Sequence, residues 1–191
     1  MRFVLMMVFA VCSIAARAQS DIWKRVNPEF DIPQLRSVTP SDMQLGAIAR
    51  LLRQRDSGDS WGCEGSEFDD MIKGLKFEVL PLAPDHEVLL AQAGAGCARS
   101  GQGANGAMWL IRFEGATPVL MASPKEGFNG WLYSIQPSIS HGFCDIVLGW
   151  HISAAETGLS YFRFNGKSYV AVGSATRTQD DDKGKIISAA K

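Results

Sequence analysis

The chain has 191 residues, 46% of them hydrophobic, and its 19 basic against 20 acidic residues leave a formal charge of -1. So even a balance gives no electrostatic reason to expect a nucleic-acid partner or a strongly anionic membrane surface, both of which call for a clear basic excess. The length suits one domain, able to bury about two thirds of its unfolded surface without a metal or many disulfides.

Residues 1–18, MRFVLMMVFAVCSIAARA, read as a cleavable secretory signal. Arg2 supplies the positive start, Phe3 to Val11 the unbroken apolar stretch, and Ala16-Arg17-Ala18 the small-x-small site, which places the cut between Ala18 and Gln19. The run is shorter than the roughly 20 apolar residues a spanning helix needs, and nothing later fits one, so no stable membrane span is expected after cleavage. Cys12, Arg2 and Arg17 leave with the signal, and the remaining chain carries a charge of -3. Its three cysteines, Cys63, Cys97 and Cys144, then face a compartment where disulfides form and persist. Three single-bridge pairings are open to them. The Gly-rich, loop-like surroundings WGCEGS and GAGCARSG favour Cys63 with Cys97, whereas Cys144 immediately precedes the apolar run IVLGW and suits a buried thiol.

Residues 19–38 carry Pro28 and Pro33 and show neither helical nor alternating periodicity, which reads as an extended lead-in. A single domain over 39–173 follows. Thr39 offers an N-cap, Pro40 the first helical position and Asp42 a short capping box, so a helix is expected to start there. Leu45, Ile48, Leu51 and Leu52 recur at helical spacing, and Arg50, Arg53 and Arg55 oppose the negative end of the dipole before Gly58. A shorter helix over Glu67 to Lys73 is expected to be capped by Ser66 and stopped by Gly74.

Beyond Gly74 the chain turns to short β-prone runs: 75–82, 87–93, 108–114, 118–123, 145–153, 159–164 and 167–172. Asn165-Gly166 spells a two-residue type I′ hairpin, and Glu114-Gly115-Ala116-Thr117 a second turn. Residues 127–142 read as turn and loop, and 174–191 as a polar, flexible tail. The expected class is α+β, with the N-terminal amphipathic helix laying Leu45, Ile48 and Leu52 on a mainly antiparallel sheet.

Cofactor and metal motifs are incomplete. Gly101 to Gly106 spells G-x-G-x-x-G, but Met108-Trp109-Leu110-Ile111 follows as a strand where the dinucleotide motif needs a helix. His86-Glu87 opens a zinc-protease signature that fails at Leu90. His141, Asp145, His151 and Glu156 carry zinc-type donors, yet His141 falls in a turn ahead of the strand, out of step with the others. No metal and no cofactor are expected.

Ser140-His141-Gly142-Phe143-Cys144 resembles the S-H-G-C element of L,D-transpeptidases, exported enzymes with a cysteine nucleophile that act on cell-wall peptides. That resemblance implies Cys144 as nucleophile and His141 as its base; Phe143 is an insertion, and the arginine after the cysteine is missing. Gly142-Phe143-Cys144-Asp145-Ile146-Val147-Leu148-Gly149 resembles the closing half of an FG-GAP-type calcium loop, whose acids fall here at Pro137, Ile139 and His141, so the likeness is one of shape. More broadly, GANGAMWLIRFEG and DIVLGWHISAAETGLSYFRFNGKSY are similar to uncharacterised, signal-bearing bacterial envelope proteins, over residues 75–172. This implies export and a β-rich domain and carries no activity.

Of the five tryptophans, Trp109 and Trp150 lie in apolar strand runs, whereas Trp131 in GFNGWLYS suits a surface contact, with His151 as a second binding candidate. The leading expectation is a non-catalytic periplasmic or secreted binding protein whose partner is a protein or a cell-wall ligand. Its rivals are a cysteine-dependent cell-wall enzyme using Cys144 and His141, and an immunity or inhibitor protein paired with a secreted toxin.

Overall fold

The structure, a computed structural model, describes residues 22–24, 26, 35–55, 63, 65–94, 97, 105–180 and 184–189. Its framework is a ten-stranded sheet: β1 (Arg36–Val38), β2 (Leu75–Ala83), β3 (His86–Ala93), β4 (Gly106–Glu114), β5 (Thr117–Ala122), β6 (Asn129–Ser140), β7 (Phe143–His151), β8 (Glu156–Phe164), β9 (Tyr169–Asp180) and β10 (Gly184–Ala189). Every pairing is antiparallel, in the order β1-β2-β3-β4-β6-β7-β8-β9-β10. β5 lies beside the second half of β4, and β6 meets the first residues of that same strand through two pairs, Gly106 with Gly130 and Ala107 with Asn129.

Side-chain alternation assigns the two faces. Leu80, Leu90, Met108, Leu110, Leu132, Ile146, Leu148 and Phe162, even-numbered throughout, form with Met121, Phe143 and Tyr169 an inner core contributed by β2 through β9, and the register shift after Leu132 turns the later even positions of β6 to the outer face. Odd-numbered residues form the outer face in two patches. One joins Phe77, Leu89, Ala91, Trp109 and Ile111. The other joins Tyr133, Val147, Leu159, Tyr161 and Ala175, beneath Trp23 and Val26. Each fully buried leucine or phenylalanine contributes about 1.5–3 kcal/mol by leaving water.

The α+β class expected from the sequence is corrected by this arrangement: the fold is mostly antiparallel β-sheet with two short helices, α1 (Asp42–Arg55) and α2 (Ser66–Lys73). The spacing of Leu45, Ile48 and Leu52 implies a helix laid over one side of the sheet as a layer of its own. The inner core finds its cover in the sheet itself, because β2 reaches β7 and β5 reaches β9 across it. The helices add Ile48, Leu52, Phe68, Met71 and Ile72 to the first outer patch only.

Local signals shift by a residue or two. Ser41 caps α1 in place of Thr39: its Oγ accepts from Gln44 N (3.3 Å), and Gln44 Oε1 accepts from Ser41 N (2.9 Å). The longer Gln side chain closes this box where Asp42 is too short to close one from Thr39. Gly65 stands at the N-cap of α2, so Ser66 is its first residue, and Gly74 follows the last turn. The hairpin through 114–117 forms, with Gly115 at φ 61°.

Two turns differ from expectation. Asn165-Gly166 is part of a four-residue loop between Phe164 and Tyr169, where Asn165 Oδ1 accepts from the amides of Lys167 and Ser168 (both 2.9 Å). That side chain folds the loop together with the Asn165 N–H, which donates to the Ser168 carbonyl (3.0 Å), and the two-residue turn with positive φ at both positions falls instead at His141 (49°) and Gly142 (86°), between β6 and β7. Residues 129–140, read as loop, are a 12-residue strand, and 174–189, read as tail, hold the second half of β9 and all of β10.

Candidate functional site

The outer face of β6, β7 and β8 carries the densest polar chemistry in the described structure. Ser134, Gln136, Ser138 and Ser140 alternate along β6, with an irregular register between Ile135 and Ile139 opposite Asp145 of β7. Asp145 is 1% exposed in an otherwise apolar strand. A carboxylate in that position needs several donors, because leaving it bare in a low dielectric costs far more than a lost hydrogen bond.

Four donors converge on it. Ser140 Oγ donates to Oδ1 (2.6 Å); Ser138 Oγ (2.8 Å), Tyr161 OH (3.1 Å) and Arg163 Nε (3.2 Å) reach Oδ2. Ser138 and Tyr161 also lie 2.9 Å apart. Gln136 Nε2 donates to Ser134 Oγ (2.5 Å), and the buried Arg177 guanidinium stacks over Tyr133 at 5.6 Å. Burial pushes the Tyr161 hydroxyl above its ordinary value, with the Asp145 carboxylate acting the same way and the nearby Arg163 guanidinium against it. Burial likewise raises Tyr133, and Arg177 pulls it back in part. Trp23 meets the Tyr161 ring edge-on at 5.9 Å.

Cys144 and His141 occupy the same hairpin. Cys144 is half-buried on β7 against the inner core, opposite Ile139, and its carbonyl accepts from Tyr169 OH at 2.8 Å. Burial pushes its thiol up, and the Asp145 carboxylate next to it pushes the same way. His141 is exposed in the turn, and no hydrogen bond joins it to the thiol. His141 stands in the turn that precedes β7 and His151 at the far end of that strand, about 30 Å apart at the rise of a strand, so the zinc-type donors are not brought together. Among the described residues no group of three His, Cys, Asp or Glu is placed to hold a metal.

The binding candidates Trp131 and His151 do share a face. Trp131 pairs with Gly149 across β6 and β7, and His151 lies two residues further along. The half-buried Trp131 ring covers Gly149, with its Nε1 buried and without a hydrogen-bond partner. The backbone of His151 is held at both ends by Asn105, which accepts from its N–H (2.7 Å) and donates to its C=O (3.2 Å). Of the two tryptophans in apolar strand runs, Trp109 is fully buried and Trp150 half-buried.

The disulfide joins Cys63 to Cys97, with Cα atoms 5.2 Å apart. Glu87 of the broken zinc signature binds Arg36 (2.9 Å), and His86 stacks on Phe143. The cleavage residues Ala18 and Gln19, the tryptophan at 61 and the start of the glycine motif at 101–104 lie outside the described residues. Among the described residues no helix is long and apolar enough to cross a membrane.

Sequence reasoning missed the Asp145 network. Its signal was available: a period-2 run of small polar residues at 134, 136, 138 and 140, and one acid inside an apolar strand. No protein-family model, no curated protein and no solved structure matches this chain.

Proposed function

We propose that the protein is exported and acts by binding a protein or a cell-wall component. Export is supported by the signal-like residues 1–18 and by the Cys63–Cys97 disulfide, a bond suited to an oxidising compartment. The observation that carries binding over chemistry is the saturation of Asp145. Its oxygens are occupied by Ser138, Ser140, Tyr161 and Arg163, so it is not free to serve as a base. The neighbouring thiol is pushed up by burial, opposite to what a nucleophilic cysteine needs, which weighs against the reading through Cys144 and His141. The contact surface we assign is the Trp131 and His151 face beside Asn105, where an aromatic ring sits on a rigid strand.

Native mass spectrometry of the protein purified from its own host's envelope tests this reading. A co-purifying polypeptide or muropeptide, lost on Trp131→Ala, is the expected result. Turnover of a cell-wall peptide that disappears on Cys144→Ser would overturn it.

A further inference from the structure

The bridge between Cys63 and Cys97 is asymmetric. Cys63 is 1% exposed inside the first outer patch, whereas Cys97 is half-buried and lines an open cleft of about 560 Å³ with Glu67, Asp70, Met71, Lys76 and Gly94. Cys63 does not line that cleft. In thiol–disulfide exchange, access decides which sulfur is attacked, and the other becomes the leaving group. We propose that Cys97 is a thiol-exchange site, and that the cleft beside it admits a small peptide thiol, which forms a mixed disulfide there and releases Cys63.

The electrons balance within the exchange. The lone pair of the incoming thiolate forms a new S–S bond to Sγ of Cys97. The pair of the broken bond stays on Sγ of Cys63, which takes up the proton the incoming thiol gave to solvent. No further oxidant or reductant is consumed. The cleft suits this class of ligand in charge as well as size. Lys76 offers a cation, Glu67 and Asp70 offer carboxylates, and Asp70 is already shared with Lys73 at 3.1 Å. A peptide thiol bearing a free amine and free carboxylates finds opposite charges for both. Cys63 precedes α2 and Cys97 follows β3, so exchange would untie the unit formed by α2, β2 and β3 while Cys97 remains capped. This inference goes beyond the binding reading and does not rest on it.

The test treats the whole exported chain with reduced glutathione, quenches with acid and maps adducts by peptide mass, which separates Cys97, Cys63 and Cys144. The expected result is the glutathionyl adduct on Cys97, in excess over Cys63 by about tenfold or more. An adduct on Cys63, an even split, or a bridge left intact by a glutathione excess would overturn the proposal. A second arm offers a thiol carried on a folded protein. Slower exchange than with glutathione is expected if the cleft is the port; equal rates would remove the cleft from the account.

Discussion

The indole of Trp131 occupies the volume in which a Cβ on Gly149 would stand: an atom built there comes within 2.7 Å of Trp131 Cε2. Gly130, next to that tryptophan, is tighter still, because a Cβ there falls 2.0 Å from the Gly149 carbonyl oxygen, at φ 99°. A ring can tilt and a backbone carbonyl in a sheet cannot. Gly149→Ala is therefore expected to cost about 1–3 kcal/mol, and Gly130→Ala more than Gly149→Ala, both read from urea unfolding. Adding Trp131→Ala should recover part of the Gly149→Ala loss and none of the Gly130→Ala loss. Equal recovery in both would show that the ring is not the obstacle.

Asp145→Asn should be among the most damaging conservative changes, at about 2–4 kcal/mol, since it withdraws the charge on which four donors converge and puts an amide N–H among hydroxyls. Arg163→Ala should cost under about 1 kcal/mol, because that guanidinium is 44% exposed and water replaces it on the other side. Denaturant midpoints of the two variants make the comparison, and a larger loss for Arg163→Ala would contradict it.

Alkaline pH should weaken the fold. The tyrosines at 133, 161 and 169 and the Cys144 thiol are all raised by burial, Tyr169 by far the most. Above their ordinary values the unfolded chain ionises while the folded chain keeps its protons, so the unfolded state binds fewer protons and stability falls as pH rises. Below those values the contribution is fully present. Melting temperature should decline from about pH 9 upward. Tyr169→Phe should flatten part of that decline while costing about 1 kcal/mol at neutral pH for the lost bond to the Cys144 carbonyl. An unchanged alkaline slope in Tyr169→Phe would assign the loss to other groups.

Iodoacetamide near pH 7 should alkylate Cys144 slowly in the folded protein and fast after unfolding, because the thiolate is scarce and its strand packs on the inner core. Rapid modification of the folded chain, prevented by His141→Ala, would restore the nucleophile reading.

How far the sequence speaks depends on whether a signal is carried by one residue or by a partner. Alternation within 75–93 and 106–122 is local and marks β2 to β5 to within two residues. β6 was hidden because Asn129-Gly130 and Pro137 are turn residues on their own terms. In the sheet, Gly130 takes positive φ opposite Gly106, and Pro137 lies in an irregular stretch of register where a missing N–H is tolerated. The Asn-Gly turn failed for the same reason in reverse: the side chain of Asn165 reaches two amides ahead, and that bond chooses a longer loop. Fold class was the largest miss, since nothing local tells that β2 and β7 meet. At the site, sequence marks Trp131, His151, Cys144 and His141 as chemistry-bearing types, but their distances follow from register: β7 separates His141, in the turn before it, from His151 at its far end, and sets Trp131 opposite Gly149, two residues from His151.

Two residue pairs are all that join β4 to β6. On either side of that seam the strands pair mostly with their sequence neighbours, and the hairpins β2–β3, β4–β5, β6–β7, β7–β8 and β8–β9 close through short loops at low entropic cost. The protein is then expected to behave as two cooperative units fused by the inner core they share. Native-state hydrogen exchange would resolve them as separate opening classes for β3 and β8; one common class for both strands would mean that packing between the halves outweighs the scarcity of bonds across their join.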